Sequence, residues 1–318
     1  KDFCLVEGKI PDVAEDHLLV RNRFLSLDPY MRGRMSPAKS YAKPVEVGEV
    51  ITGGTVGQVT KSRHPGFVEG DLVVANGGWQ EYSVIKGAEC KKVNPSWPSP
   101  SLALGVLGMP GVTAFTGMKN IGKPAAGETV VVAAASGAVG SVVGQIAKIR
   151  GARAVGIAGT MEKCRFVIDE LGFDDCLMHK EPDFPEKLKK ACPDKIDVYF
   201  ENVGGKVFET VAPLLNNFAR IPVCGLIAHY NDTQLPEGPN TAPLILRDIL
   251  VKRLTYRGFI VWDFAAQEQE ALESLAGWID EGKLKYREDV VDGLENAPEA
   301  FMGLLQGKNF GKLIVRLG

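Results

Sequence analysis

The sequence predicts an α/β protein with two domains, and three observations support this expectation. The segment up to residue 103 is rich in glycine and proline and breaks into short β-prone pieces. From Gly127 onward, buried strands alternate with helices, which is the pattern of a parallel, doubly wound sheet. The length of 318 residues and a hydrophobic content of 45% are sufficient for two such cores.

The first segment predicts a compact, irregular β-barrel. Its strand-like pieces are separated by glycine, proline and other turn residues, which is typical of short strands in an all-β domain. These pieces are Leu18–Leu25, Gly53–Val59, Asp71–Ala75 and Glu81–Ile85.

The second segment predicts six buried strands, the number found in a nucleotide-binding sheet. We place them near residues 129–135, 153–158, 175–178, 196–201, 219–224 and 254–261. Beyond them we expect helices at about 266–281 and at Ala297–Leu305, and a closing strand at Lys312–Leu317 that returns to the first domain. The predicted domains are therefore 1–103 with 262–318, and 104–261.

A glycine turn follows the first of these strands and predicts a diphosphate-binding corner. Gly137 allows a tight turn beside a ligand, and Gly140 allows the next helix to pack close to the strand. The N-terminus of that helix offers N–H groups and a positive dipole to an anion. Ala135 stands where a first glycine is usual, and such a turn is also found as a purely structural corner. The residues that follow decide between the two interpretations.

The end of the second strand indicates NADP(H) rather than NAD. An NAD site carries an acidic residue about 20 residues beyond the glycine turn, where it binds the ribose hydroxyls. Here that place holds Gly159, Thr160 and Met161, with Lys163 and Arg165 just beyond. A small residue and a nearby cation admit a 2′-phosphate, whereas a carboxylate would repel it. Taken alone, Lys163 is also consistent with an ordinary solvated helix residue.

Composition excludes several classes of partner. A net charge of −2 gives no electrostatic footprint for nucleic acid or an anionic membrane surface. No apolar run approaches the roughly 20 residues of a membrane span, and no signal peptide is recognisable. The chain begins at Lys1, so we expect that its native N-terminus has been trimmed.

The cysteines and histidines predict neither a disulfide framework nor a metal site. Six cysteines and four histidines are scattered along the chain, without the close pairs of a metal-binding motif. Residues 30–60, where a catalytic zinc would need ligands, contain neither residue type. We therefore expect reduced thiols, a cytoplasmic location and no zinc.

Five motifs in this order resemble one known family. They are Ser26-Leu-Asp-Pro-Tyr-Met-Arg-Gly-Arg-Met35, Leu107-Gly-Met-Pro-Gly-Val-Thr-Ala114, Ala134-Ala-Ser-Gly-Ala-Val-Gly140, Glu201-Asn-Val-Gly-Gly205 and Gly307-Lys-Asn-Phe-Gly-Lys312. The chain resembles the zinc-independent medium-chain dehydrogenase/reductases of the prostaglandin reductase and leukotriene B4 dehydrogenase group. The resemblance implies a GroES-like catalytic barrel beside a six-stranded parallel Rossmann domain, with the active site between them. It also implies NADPH-dependent reduction of the C=C bond of α,β-unsaturated carbonyls.

The resemblance also implies a set of cofactor contacts. The diphosphate would lie on Gly137, Ala138, Val139 and Gly140. The 2′-phosphate would lie near Gly159 and Lys163, with His179 where several relatives have a tyrosine. The nicotinamide half would be surrounded by Asn202, Cys224, Gly225, Tyr230, Asn309 and the backbone of Phe259, Ile260 and Val261.

Hydride addition to an enone develops negative charge on the carbonyl oxygen, so the reaction needs hydrogen-bond donors rather than a metal or a nucleophile. Tyr30 and Tyr41 are the candidate donors. The alternatives are that Tyr30 packs in the barrel and that Tyr41 is an ordinary surface-loop residue. Several relatives carry a tyrosine after the Phe259–Val261 segment, whereas this chain has Trp262 there.

Two rival functions share most of these features. A quinone reductase of the same superfamily also binds NADPH without zinc, although the motifs around Tyr30 and Gly111 favour an enone reductase. A catalytically silent NADPH-binding protein is the alternative from another class.

The last strand of the Rossmann domain predicts a homodimer. Residues 254–261 form a long, apolar strand at the edge of the predicted sheet. An edge of this kind promotes aggregation unless it is covered, and pairing with its copy across a two-fold axis would cover it.

Overall fold

The computed structural model describes residues 2–37, 40–232 and 240–318. The chain divides into two compact units. The first consists of Lys1–Gly108 with Glu288–Gly318, and the second of Met109–Arg287. The expected division placed residues 262–287 with the barrel. They cluster with the second unit, since Trp278 packs against Phe115 and the Gln145 amide hydrogen-bonds both backbone groups of Lys285.

The first unit begins with short strands separated by glycine-rich turns. In β1 the buried residues Leu18 and Val20 alternate with more accessible ones, which is typical of a strand with one face on a core. The elements are β1 (His17–Ser26), α1 (Tyr30–Arg34), β2 (Thr55–Ser62), β3 (Leu72–Ala75), β4 (Tyr82–Lys86) and β5 (Lys91–Lys92). Each predicted strand of this region is present.

The second unit alternates strands and helices throughout. Its elements are α2 (Met109–Gly117), β6 (Thr129–Ala133), α3 (Gly140–Ile149), β7 (Arg153–Ala158), α4 (Met161–Asp169), β8 (Asp175–Met178), α5 (Phe184–Ala191), β9 (Ile196–Phe200), α6 (Gly205–Val211), β10 (Leu215–Val223), α7 (Ala242–Lys252), β11 (Thr255–Gly258) and α8 (Glu268–Asp280). The strands form one parallel sheet in the order β11-β10-β9-β6-β7-β8. This arrangement confirms the predicted six-stranded Rossmann sheet.

The chain then returns to the first unit through β12 (Glu288–Asp292), α9 (Ala297–Leu305) and β13 (Lys312–Arg316). The first-unit sheet runs β12-β13-β1-β2-β3-β5, and β4 also pairs with β1. β13 pairs antiparallel with β1 and parallel with β12. The return of the closing strand is therefore confirmed, whereas β12 was not anticipated.

The prediction for the last strand of the Rossmann sheet was wrong in length and character. β11 spans four residues rather than the eight of 254–261, and most of them are exposed. The Asp263 carboxylate accepts a hydrogen bond from the Ile260 N–H at 2.9 Å, and a 3-10 turn begins at Val261. This local cap ends the extended backbone early. β11 does form an edge of the sheet, as expected.

Each unit has its own hydrophobic core. In the second unit all five residues of β6 are buried, as expected for the centre of a parallel sheet with helices on both faces. In the first unit, Leu25 and Met31 pack with Phe301 of α9 and Val315 of β13. The core of the first unit is therefore built from both of its segments, residues 1–108 and 288–318.

Candidate active site

The predicted cofactor residues of the second unit all follow the carboxyl ends of parallel strands. Because the strands are parallel, these ends share one edge of the sheet. The neighbours β6 and β9 continue to opposite sides, toward β7 and β10 respectively. This reversal is the topological switch point at which sheets of this kind bind ligands. The fold therefore brings the predicted residues to one crevice-forming edge.

The turn after β6 leaves little room for a side chain at either of its glycines. A Cβ at Gly140 would lie 2.3 Å from the Ala134 carbonyl oxygen, and one at Gly137 would lie 3.2 Å from the same atom. Ala134 itself adopts a φ of 55°. The strained position is therefore Ala134, one residue before the expected glycine position at Ala135, which is fully buried.

The same turn leads directly into α3, whose ten residues begin at Gly140. Gly137, Ala138 and Val139 are half-buried, so their backbone is accessible in front of the helix N-terminus. The helix dipole and the backbone N–H groups of such a turn favour a phosphate group. These residues fit the diphosphate of a dinucleotide.

The ends of β7 and β8 place three predicted residues in one region. Apart from its chain neighbours, a Cβ at Gly159 would meet one atom of the described residues within 4 Å, Nε2 of His179 at 3.8 Å, so this position is open. Lys163 lies in the first turn of α4, where its backbone N–H donates to the Thr160 cap, and is 8% exposed. It is therefore not the solvated surface residue of the alternative interpretation.

Burial, and secondarily the charge of Lys180, lowers the pKa of His179. The imidazole is therefore neutral at pH 7 and has one N–H to donate. A neutral donor beside Gly159 is compatible with a phosphate ester. The absence of an acidic residue at Gly159, Thr160 and Met161 and the presence of Lys163 favour the 2′-phosphate of NADP(H) over the bare ribose of NAD.

The ends of β9 and β10 bring together residues predicted to surround the nicotinamide. The Asn202 amide donates to the Ala133 carbonyl at 2.8 Å and so joins the end of β9 to that of β6. A Cβ at Gly225 would lie 3.0 Å from the Tyr230 hydroxyl and 3.4 Å from the Asn202 carbonyl oxygen. Tyr230 accepts a hydrogen bond from the Leu226 N–H. These three residues form one contiguous surface.

Cys224 and Phe259 follow Val223 and Gly258, which are paired in β10 and β11. Burial, and secondarily Glu201, raises the pKa of the Cys224 thiol to about 12, so it stays protonated and is a poor nucleophile. Phe259 is buried against Phe200 and Phe264. Ile260 and Val261 enter the 3-10 turn rather than continuing the predicted strand.

Glu201 is a residue of this edge that the sequence analysis did not single out. It is 2% exposed, and its Oε1 accepts hydrogen bonds from the N–H groups of Val203 and Gly204 at 2.6 and 2.8 Å. The sequence did offer one indication of its importance, because Glu201 begins the fourth motif and directly follows the buried strand β9.

Three predicted residues belong to the first unit. Tyr30 begins α1 and is half-buried, and burial together with Asp28 raises the pKa of its phenol, which therefore stays protonated. Tyr41 is 58% exposed, with the Arg34 guanidinium 5.8 Å from its ring centroid. The Asn309 amide donates to the Gly311 carbonyl at 2.9 Å.

Asp28 and Lys312 form a buried ion pair in the first unit, which the sequence analysis also missed. Lys312 Nζ donates to Asp28 Oδ1 at 2.7 Å and to the Leu27 carbonyl at 3.0 Å. Ser26 donates to the other carboxylate oxygen of Asp28. The two partners lie in the first and the last of the five motifs, so the pair joins segments at opposite ends of the chain.

Within the described residues, no group of three or more His, Cys, Asp or Glu side chains is arranged to hold a metal ion. In the same part of the chain, no helix combines the length and the apolar character that a membrane span requires.

Comparison with known proteins decides the family. A family profile described as "N-terminal domain of oxidoreductase" matches residues 1–93, and one described as "Zinc-binding dehydrogenase" matches residues 138–277. The NADPH-dependent curcumin reductase of Escherichia coli (strain K12) is 51% identical over 318 residues, which are 100% of this chain and 92% of that protein. Prostaglandin reductase 1 of Bos taurus is 41% identical over 99% of this chain and 94% of its own length.

The chain belongs to the zinc-independent medium-chain dehydrogenase/reductase family. The 2-alkenal reductase (NADP(+)-dependent) of Nicotiana tabacum is 43% identical over 98% of this chain and 90% of its own length. A crystal structure of CurA from Vibrio vulnificus in complex with NADPH is 54% identical, with a TM-score of 0.96 over 99% of this chain and 94% of that one. The predicted family is thereby confirmed.

Proposed function

We propose that this member of the family uses NADPH to reduce the C=C bond of α,β-unsaturated ketones and aldehydes. The observation that carries the proposal is the carboxyl edge of the second unit. It combines a glycine turn at a helix N-terminus with Lys163 and His179, which follow the ends of β7 and β8 and would receive the 2′-phosphate. Relatives named as curcumin, prostaglandin and 2-alkenal reductases supply the substrate class.

NADPH, when bound, would supply a hydride to the β-carbon of the enone, and a proton from water would complete the reduction at the α-carbon. The protein's own task is to hold the enone and to stabilise the negative charge that develops on its carbonyl oxygen. Tyr30 has a phenol that stays protonated and Tyr41 has an exposed one, so both are able to donate a hydrogen bond. Trp262, which is 56% exposed, follows the Phe259–Val261 segment, so the chain has no tyrosine hydroxyl at that position.

The test of this function is NADPH consumption with a panel of enones and enals of graded size. We expect turnover with enones to exceed that with quinones, and we expect activity to survive exhaustive chelation because no step uses a metal. Faster turnover of quinones would favour the rival reductase. Tight NADPH binding without turnover of any substrate would favour the catalytically silent alternative.

Removing either phenol should separate catalysis from cofactor binding. Loss of one preorganised oxyanion donor costs up to ~10²–10³ in rate. We expect less for Tyr41→Phe and Tyr30→Phe, roughly tenfold in kcat, because the enone delocalises charge and water can substitute for one donor. NADPH affinity should stay unchanged. Steady-state kinetics of both single variants and the double variant provide the measurement, and wild-type rates in all three would exclude both phenols from the chemistry.

A cytoplasmic location is part of the proposal. All six cysteines are free, as expected for a reducing compartment. The partners are then a small-molecule enone and a second copy of the chain, with no nucleic acid and no membrane.

The proposed homodimer rests on exposed apolar side chains of α7 in the second unit. Exposed apolar side chains of α7 lie close in sequence to the edge strand β11, and exposed patches of this kind mark interfaces. They are Leu244, Leu246, Leu250 and Val251, which are 54–76% exposed. A second copy related by a two-fold axis would cover exposed side chains of α7 and the β11 edge together.

Light scattering at micromolar concentration should give the mass of a dimer. Leu250→Glu should shift the mass toward the monomer, because a charge in the centre of an apolar interface is left unpaired. Val68→Glu changes a valine of the first unit that is 63% exposed, against 76% for Leu250, and as the control it should leave the mass unchanged. A monomeric wild type would contradict the dimer.

A further inference from the structure

Glu201 connects several segments at the carboxyl edge of the sheet, through both its backbone and its side chain. Its backbone N–H donates to the Pro222 carbonyl at 2.9 Å, and its carbonyl accepts from Cys224 and Gly225 at 2.9 and 3.1 Å. These bonds join the end of β9 to the end of β10. The side chain turns toward the next segment and accepts from Val203 and Gly204.

The loop that this carboxylate caps has a backbone that needs support. Gly204 and Gly205 adopt φ values of 76° and 54°, a region that is costly for most other residues. Oε1 of Glu201 satisfies two consecutive N–H groups at the start of this loop, in the manner of an anion held by a backbone nest. Asn202, at the loop's first position, is thereby fixed against Ala133.

The carboxylate is held in place at an energetic cost. Burial raises the pKa of Glu201, and the N–H donors of Gly204 and Val203 act against this rise. A buried acid is an expensive way to close a loop, which suggests that the loop's conformation matters for more than folding.

We propose that Glu201 is a positioning residue that sets the affinity for the nicotinamide half of the cofactor, by fixing Asn202 and the Cys224–Gly225 segment in one geometry. The proposal rests on the proposed function. It assigns Glu201 no contact with the cofactor and no proton transfer. Its action is on the shape of the surface formed by Asn202, Gly225 and Tyr230.

The test compares the two halves of the cofactor by titration calorimetry. Glu201→Ala removes the acceptor, and we expect it to weaken NADPH binding by at least about tenfold while leaving the affinity for 2′,5′-ADP unchanged. Glu201→Gln keeps an oxygen acceptor at the same place and should bind NADPH within about threefold of wild type. Glu201→Leu fills the space without an acceptor and should behave like the alanine variant, which provides a second measurement if Glu201→Ala fails to fold.

Glu128→Ala is the matched control. Glu128 lies just before β6, at the amino ends of the strands of the same sheet, where it pairs with Arg220. Its loss should lower stability without changing either affinity. The positioning role would be overturned if Glu201→Ala or Glu201→Leu bound NADPH at wild-type strength. It would also be overturned if the affinities for NADPH and for 2′,5′-ADP fell equally. Absence of NADPH binding by the wild type would instead overturn the proposed function.

Discussion

Replacing Lys312 with methionine is expected to lower the free energy of unfolding by about 3–5 kcal/mol. The side chains of Lys312 and Asp28 are 5% and 8% exposed and form an ion pair at 2.7 Å. Methionine keeps most of the lysine's volume but removes its charge. The Asp28 carboxylate then stays buried without a cation, and its desolvation is no longer compensated. Urea unfolding of the purified variant provides the measurement.

Two further variants show whether the effect comes from the unpaired charge. Lys308→Met changes an exposed lysine of the segment just before β13 and should alter the free energy of unfolding by less than about 0.5 kcal/mol. Adding Asp28→Asn to Lys312→Met should recover much of the lost stability, because no charge is then left buried. If Lys312→Met unfolds at the wild-type urea concentration, the ion pair contributes nothing and this account of the two motifs is wrong.

The strands of the second unit could be predicted from sequence to within a few residues. β7 begins and ends as predicted, because an apolar run of strand length is followed by glycine and a helix cap at Thr160. β8 also has the predicted bounds. In a parallel sheet buried on both faces, the hydrophobic run itself marks the strand, so that local sequence is sufficient.

Elements at the edges of the sheets depended on tertiary context. β12 has the sequence Glu-Asp-Val-Val-Asp, which lacks a clear apolar pattern, and its extended form comes from pairing with β13. β11 ends at an arginine-glycine pair that resembles strand sequence, and the Asp263 carboxylate five residues later caps the turn that follows. A side-chain cap of this kind competes with strand propensity and is not evident from hydrophobic periodicity.

The common location of the candidate site residues could be predicted from sequence wherever the residues directly follow strands of the parallel sheet. Gly137, Gly159, His179, Asn202 and Cys224 each follow a parallel strand, so their common edge follows from the order of the strands. Contacts between distant segments did not follow in this way. The Asp28–Lys312 pair joins residues 284 positions apart, and the contacts of Glu201 with β10 depend on the pairing of two strands.

The choice between NADPH and NADH is expected to depend on Lys163. A hydrogen bond to a charged group contributes ~1.5–3 kcal/mol, so Lys163→Ala should weaken NADPH binding roughly 10- to 100-fold. NADH has no 2′-phosphate, so its affinity should barely change. Lys163 lies in the first turn of α4, where the helix dipole adds to the attraction for a phosphate. Direct titration of both cofactors provides the measurement.

Arg165 is the matched control, because it is a cation two positions further along the same helix and is exposed. Residues two apart on a helix point in different directions, so Arg165→Ala should change neither affinity if the 2′-phosphate lies on the Lys163 side. Lys163 is buried, so its loss also perturbs α4, and a purely structural effect would weaken NADPH and NADH equally. Equal losses would therefore contradict the phosphate contact. A selective loss of affinity for NADPH would show that the preference for NADPH over NADH comes from the Lys163 cation and not only from the absence of an acidic residue after β7.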